Sequence, residues 1–297
     1  MSISQYEALI KAIETGTLSG AAEELGYTQS GITRMLNTLE SNFGTKLLRR
    51  GRTGVSLTSD GEYLLPYIRE ALHSQYALDT RVREMNGLNG GLIRIGSFNS
   101  VSAQWLPPII KEFLGEHPGY RFELLNGTNQ EIGRWLAEQR IDFGFVKSPF
   151  VFNGETEFLY RDPIVSIFAE DDPHAGRENL PVEEILDLPY ICLKEGLAND
   201  VSAVLKNHGI TPTPRFIESD DLGLIAMVEQ GLGVGLIPEL VLEGFSRRVV
   251  TVPLDPPAFR DLGIAYHSGS DLPRSVQAFL DCTRSYIRRH YGSGRDR

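Results

Sequence analysis

Apolar residues at Tyr6, Leu9, Ile10 and Ile13 recur three and four apart and predict a first helix, with Ser4 and Glu7 at capping-box spacing. A second helix, "SGAAEELG", carries the small residues Ala21 and Ala22 and ends at Gly26. "GYTQSGITRMLNTLE" then holds a stripe of Ile32, Met35, Leu36 and Leu39, with Thr28 as a good N-cap. Gly26 and Tyr27 leave only a tight turn between these two helices, so the pair reads as a helix-turn-helix. "LLRRGRTGVSLT" follows as a β-hairpin wing around Arg49–Gly54, closing a first part over residues 1–58. Next, Leu64, Tyr67, Ile68, Ala71, Leu72, Leu78, Val82 and Met85 sustain the helical spacing from Ser59 to Met85. Ser59 and Glu62 have capping-box spacing, whereas Pro66 should kink this helix or delay its start. The stripe is longer than one small domain can cover, which points to a partner helix. "NGLNGG" ends it in a flexible joint, so residues 59–88 read as a linker helix.

From Leu92 onward strand and helix patterns alternate. "LIRIG", "YRFELLNG", "IDFGFV", "PIVSIFAE" and "YICLKEG" read as strands. "AQWLPPIIKEFLGEHP", "TNQEIGRWLAEQR", "NDVSAVLKNHG" and "DDLGLIAMVEQG" read as helices. Such alternation predicts α/β architecture with largely parallel sheets. Residues 89–297 exceed one typical domain, so two lobes with a cleft are expected: about 92–162 with 266–297, and about 163–265. Ligands of such sheets bind beyond the carboxyl ends of the strands. Ser100 and Ser102 fall between the first strand and its helix, Thr128 opens the next helix, and Lys147 and Ser148 follow "IDFGFV". Asn199 opens a helix of the second lobe. Ser100 and Thr128 have a plainer reading as caps, since capping and anion binding use the same free N–H groups. If Lys147 faces the cleft, a small carboxylate or other anion is the expected ligand.

Charge sharpens the first part. Opposite its apolar stripe the third helix presents Gln29, Ser30, Thr33, Arg34 and Asn37, a face with many hydrogen-bonding groups and one charge. From Thr28 to Thr58 the basic residues are Arg34, Lys46, Arg49, Arg50 and Arg52 and the only acid is Glu40, in a chain whose net charge is -10. A basic island in an acidic protein marks where a polyanion docks. Gln and Asn can pair bidentately with adenine and Arg with guanine, while Ser and Thr bond a base or a phosphate. Arg49, Arg50 and Arg52 are most simply phosphate or minor-groove contacts. Acids on that face would be repelled by phosphate.

These residues resemble the LysR-type transcriptional regulators. The resemblance is carried by Ala21-Ala22, Thr28-Gln29-Ser30, Leu39-Glu40, Gly44, Leu47-Leu48-Arg49-Arg50, Leu57-Thr58 and Gly61, in order. Leu48 replaces a usual phenylalanine and Gly31 a usual alanine. "LIRIG" with "WLPPII", then "IDFGFV" and "MVEQGLGVGLIPELV", resemble the family's effector domain. The resemblance implies a winged helix-turn-helix with an α+β character, a long linker helix and a two-lobed, periplasmic-binding-protein-like α/β domain. It further implies homodimers through the linker helix, often assembled into tetramers. By the same resemblance Ser100, Thr128 and Lys147 fall at effector-contacting positions. DNA contact is assigned to Thr28, Gln29, Ser30, Thr33, Arg34, Asn37, Arg49, Arg50 and Arg52. The partners implied are double-stranded promoter DNA and a small-molecule effector.

Other classes fare worse. In "GLGVGLIP" the glycines alternate and follow a helix, unlike a dinucleotide fingerprint, so a helix-to-strand turn is expected. Neither a Gly-x-Ser-x-Gly elbow nor a His-Glu-x-x-His motif occurs, and the six histidines are scattered. "DDPHAG" reads as an exposed loop rather than a metal site, and neither metal nor cofactor is expected. Cys192 and Cys282 suit a reduced compartment. With no signal peptide and no bilayer-spanning apolar run visible, the expectation is a cytoplasmic regulator. A solute-binding module and an enzyme using the cleft are the alternatives.

Overall fold

The computed structural model describes residues 2–51, 54–85, 90–149, 154–194, 199–244, 248–267 and 272–292. The chain divides into two compact units, one comprising Met1–Leu92, Gly119–Arg121 and Trp135–Arg140, the other the remainder.

In the first unit the helices are α1 (Ile3–Thr15), α2 (Leu18–Leu25) and α3 (Gln29–Phe43). Ala8, Leu9, Ala12, Ala21, Ala22, Ile32, Leu36 and Leu39 form their shared core. The alanines are small enough to let the helices approach closely. Gly26 ends α2 at φ 68°, ψ 29°, a left-handed conformation that favours glycine and makes the two-residue turn into α3 possible. The first helix starts earlier than its pattern suggested. Ser2 donates its N–H to Gln5 Oε1 at 3.0 Å, whereas Glu7 accepts from Tyr76 Oη at 2.5 Å.

The wing is the hairpin β1 (Leu48–Gly51) and β2 (Gly54–Leu57), with Arg50 opposite Val55. Helix α4 spans Ser59–Met85 and continues through Pro66. Its cap is Thr58, whose Oγ1 accepts from Gly61 N at 3.0 Å, so Ser59 is already helical and the Ser59/Glu62 box is not used as expected. Ile68 and the half-buried Leu64 face the winged core, while Tyr63, Tyr67, Leu78 and Val82 remain exposed. A Cβ added at Gly61 would lie 2.2 Å from Leu47 O, and that carbonyl accepts from Thr58 N. Gly61→Ala should therefore force α4 away from the wing and cost roughly 1–3 kcal/mol. A calorimetric scan with an unchanged melting profile would rule this out.

The second unit is built on β3 (Gly91–Ser97), α5 (Asn99–Gln104), α6 (Leu106–Glu116), β4 (Tyr120–Asn126), α7 (Asn129–Ala137) and β5 (Phe143–Lys147). The expected single helix after β3 breaks at Trp105. Proline is favoured in a helix's first turn, and Pro107 and Pro108 occupy that place in α6, which starts anew there. The long β6 (Glu155–Ala169) leads into β7 (Leu180–Pro181), a 3-10 turn and β8 (Tyr190–Leu193). Then come α8 (Asn199–Asn207), β9 (Phe216–Glu218), α9 (Asp221–Glu229), β10 (Val234–Pro238), α10 (Glu239–Leu242), β11 (Val249–Tyr266) and α11 (Arg274–Tyr291).

Among the described residues the strand order is β4-β3-β5-β11-β6-β10-β8-β9. Within each lobe the pairs β3/β5, β8/β9 and β8/β10 are parallel, as the alternation predicts. The junction is antiparallel instead: β6 and β11 pair along their length, β11 pairs β5, and β6 pairs β10. The return to the first lobe comes earlier than residue 266, because Leu262–Ala265 of β11 already pair with β5. Strand alternation places Ile164 and Phe168 in one core of the second lobe and Val165 and Ile167 in another, on opposite sheet faces.

Candidate DNA-reading face and effector cleft

On α3, Thr28, Gln29, Ser30, Arg34 and Asn37 are exposed and Thr33 is half-buried. The polar strip continues through Thr38, Ser41 and Asn42, which the sequence reading left out although they follow at helical spacing. Several hydroxyls are already committed. Thr28 Oγ1 accepts from Gly31 N at 3.1 Å and lies 3.1 Å from Ser30 Oγ, and Thr33 Oγ1 donates to Gln29 O at 2.9 Å. Among the described residues, the Gln29, Arg34 and Arg49 side chains make no such bond. Arg50 Nη2 donates to Asn37 Oδ1 at 2.8 Å, so the wing steadies one residue of the recognition helix. Arg52 lies outside the described residues.

Glu40 ties wing to helix from below. It is 4% exposed; Oε1 accepts from Leu47 N (3.0 Å) and Leu48 N (3.2 Å), and Oε2 accepts from Lys46 Nζ (2.7 Å). Arg50 stands 3.6 Å away. Burial pushes the Glu40 carboxyl up, but Lys46 and the Leu48 and Leu47 N–H groups outweigh it and hold it below the usual carboxylate range.

A cavity of about 300 Å³ opens between the two lobes of the second unit. Ser100, Thr128 and Lys147 line it, together with Phe98, Asn126, Asn129, Glu131, Leu193, Asp200, Asp220, Asp221, Leu236, Val241 and Arg260. Ser102 does not line it; its Oγ is 2.6 Å from Ser97 Oγ. Ser148 is exposed away from the cavity and donates its N–H to Asp261 O. Asn199 begins α8, and its side chain lies outside the described residues. Thr128 behaves as the plainer reading had it: its N–H and hydroxyl both donate to Glu131 Oε2, at 2.8 and 3.0 Å. Those bonds hold the Glu131 carboxyl below its ordinary range.

The charged centre of the cleft was not visible in sequence. Asp162 on β6 is fully buried and accepts from Arg260 Nε on β11 at 2.7 Å and from Leu240 N at 3.0 Å. Arg260, 7% exposed, also donates to Ser100 Oγ at 2.8 Å and lies 3.5 Å from Asp200 Oδ2. Burial pushes the Asp162 carboxyl up, opposed chiefly by Arg260. Lys147 Nζ does face the cavity, but it donates to Asp200 Oδ2 at 2.8 Å, linking β5 to α8. Phe98 lies beneath both cations, 5.3 Å from Lys147 Nζ and 5.4 Å from Arg260 Cζ. Lys147 thus faces the cleft as the anion expectation required, and both cations already have carboxylate partners.

The remaining chemistry-bearing residues are accounted for. The "DDPHAG" segment is a loop that exposes Asp171, Pro173 and Gly176 and half-buries the rest: His174 stacks on Phe168 and sits 2.8 Å from Asp172 Oδ1. Among the described residues no group of three His, Cys, Asp or Glu is placed to hold a metal. Burial raises both cysteine thiols, Cys192 and Cys282, so neither is poised as a thiolate. The alternating glycines of "GLGVGLIP" lie in the turn between α9 and β10 and in β10 itself.

Comparison with known proteins identifies the two parts of the chain that carry these residues. A model of the bacterial regulatory helix-turn-helix proteins of the lysR family matches residues 3–62, and a model of the LysR substrate binding domain matches residues 86–288. The uncharacterized HTH-type transcriptional regulator YvbU of Bacillus subtilis (strain 168) is 28% identical over 289 residues, 96% of this chain and 98% of its own. The probable HTH-type transcriptional regulator LrrA of Synechococcus elongatus is 28% identical, covering 96% and 97%. Among solved structures, a full-length OxyR variant from Pseudomonas aeruginosa superposes with a TM-score of 0.73 at 19% identity, covering 96% of this chain and 98% of that one. CbnR complexed with its target DNA superposes at 0.68 and 19%, covering 96% and 99%. These likenesses share the winged helix-turn-helix followed by the two-lobed α/β domain, and the named relatives are regulators rather than enzymes. The chain belongs to the LysR family of DNA-binding transcriptional regulators.

Proposed function

We propose that residues 1–58 read promoter DNA, residues 59–88 pair with a second copy, and the cleft of residues 89–297 senses a small molecule. The observation that carries the DNA reading is the exposed, acid-free strip on α3 beside Arg49 and Arg50. Gln29 and Arg34, whose side chains make no hydrogen bond among the described residues, are assigned to base edges, and Arg49 to phosphate. Arg52 is assigned to phosphate from its place in the basic wing sequence. Thr28, Ser30 and Thr33, already hydrogen-bonded, are assigned to the DNA backbone, and Asn37 to a base edge approached from the wing side.

Exposed Tyr63, Tyr67, Leu78 and Val82 on α4 give a second copy an apolar stripe to cover, supporting a homodimer and, through further contacts, a tetramer. Such a dimer presents two recognition helices to two half-sites. Among the described residues no helix is long and apolar enough to cross a membrane, and a cytoplasmic location follows from the DNA partner. In the cleft, a ligand that prefers one arrangement of the two lobes shifts the population toward it and so alters half-site spacing or DNA bend.

Selection on random duplexes, with and without cell metabolites, tests this reading; absence of any salt-dependent, sequence-selective duplex binding would defeat it. Two variants separate the assigned roles. Gln29→Ala should cost about 1–3 kcal/mol and relax preference at one base position. Arg50→Ala should weaken all sequences and flatten the salt slope, with a smaller loss of selectivity through Asn37. Identical behaviour of the two would refute the division of roles.

A further inference from the structure

We propose that the effector carries a protonated amine, seated on Asp221 with its aliphatic body between the lobes. The inference rests on the cleft being the sensing site. Four features of that cavity point the same way. Lys147 and Arg260 are each within 2.8 Å of a carboxylate partner, Asp200 and Asp162, so neither offers an unmet positive charge to an anion. The lining carries the acids Glu131, Asp200, Asp220 and Asp221 against the two bases Lys147 and Arg260, so an anionic ligand would enter a net negative enclosure. The four acids are not equivalent. Glu131 is held by Thr128, Asp200 by Lys147, and Asp220 Oδ1 by the N–H of Gly223 at 2.8 Å. The Asp221 carboxylate alone has no hydrogen-bond or ion-pair partner among the described residues.

Asp221 is also largely withdrawn from water. Burial pushes its carboxyl up, against the pull of Arg260, with Asp220 adding to the rise. An ammonium within hydrogen-bond reach would relieve that cost and give Asp221 a charge-assisted partner. The cavity lining also includes Phe98, Leu193, Leu236 and Val241, apolar surface that suits a short hydrocarbon chain. The cavity of about 300 Å³ has room for a compact ligand, on the order of ten water volumes.

Three five-carbon probes differing only in their end groups test the assignment on the full-length protein: 1,5-diaminopentane, 5-aminopentanoate and glutarate. Titration calorimetry should give an amine-bearing probe a dissociation constant at least tenfold lower than that of glutarate. Asp221→Asn, which keeps size and shape at the first turn of α9, should remove most of that preference. The circular dichroism of the variant should match the parent, which separates loss of binding from loss of fold. Glutarate binding as tightly as the amines, amine binding indifferent to Asp221→Asn, or no probe binding at millimolar concentration would each overturn the amine assignment. None of these touches the sensing reading itself, which stands or falls on whether cell metabolites change duplex binding.

Discussion

Arg260→Met is expected to destabilise the two-lobed domain by about 3–5 kcal/mol, the cost of leaving a buried carboxylate without its counter-charge. Asp162 is fully buried, and among the described residues it is left, apart from Arg260, with the N–H of Leu240. The carboxyl can escape by taking a proton. Its folded pKa is already raised by burial, and without the guanidinium it rises further. The sign follows. Below the unfolded value, near 3.9, the carboxyl is protonated in both states and the cost is absent; above it the cost grows until the folded group ionises. The variant should therefore be least stable, relative to the parent, at neutral pH, and recover on acidification. Asp162→Asn combined with Arg260→Met removes both charges, and the amide oxygen can still accept from Leu240. That double variant should regain most of the loss.

Tryptophan fluorescence in urea reads this event through the fully buried Trp105 of the second unit, in a Trp135→Phe background because Trp135 falls in the first unit. A double variant no more stable than the single one, or a single variant losing under about 1 kcal/mol, would sink the account. On the proposed sensing role, Arg260 also holds the cleft residue Ser100, so the single variant should lose effector response even where it stays folded.

The helices α2, α3 and α4 were legible because a helix writes its packing locally, at spacings of three and four; Gly26 and Thr28 announced the turn between two of them, while the start of α4 was read one residue late, at Ser59 instead of Thr58. The basic wing was legible for a similar reason, being a short hairpin between polar turn residues. Strand β11 had no such signature. "VVTVPLDPPAFRDLGIAY" holds three prolines and reads as a turn in its middle, where the register indeed breaks between Pro253 and Ala258. Arg260 and Asp162 meet only because β6 and β11 pair across a separation of 98 residues. No local pattern encodes such a pairing. The cleft was therefore only partly legible: Ser100, Thr128 and Lys147 were placed by family resemblance, while the acids that set its charge, Asp200, Asp220 and Asp221, looked like ordinary helix-start residues.

The largest effect expected in the winged domain belongs to Glu40, not to any residue facing outward. Glu40→Ala removes the acceptor for two buried N–H groups, those of Leu47 and Leu48, and leaving such donors unpaired costs about 1–3 kcal/mol each. Water entering the vacated space offsets part of this, so a loss of about 2–4 kcal/mol is expected. Glu40→Gln keeps one acceptor oxygen for both donors and should cost markedly less, because the lost partner Lys46 is already solvent-exposed. The charge itself has a pH signature. The folded carboxyl is depressed below its unfolded value, so its contribution is fully present above about 4.3 and is lost as pH falls through the folded value. Parent and Glu40→Gln should therefore converge in melting temperature on acidification and separate again at neutral pH. Because the strand that Glu40 anchors carries Arg49 and Arg50, and Arg50 steadies Asn37, Glu40→Ala should weaken duplex binding and blur base preference together. Wing and recognition helix would then prove to be one mechanical unit, pinned by a side chain that touches no DNA. A Glu40→Ala protein that melts and binds like the parent would leave the wing independently folded, and that unit would not exist.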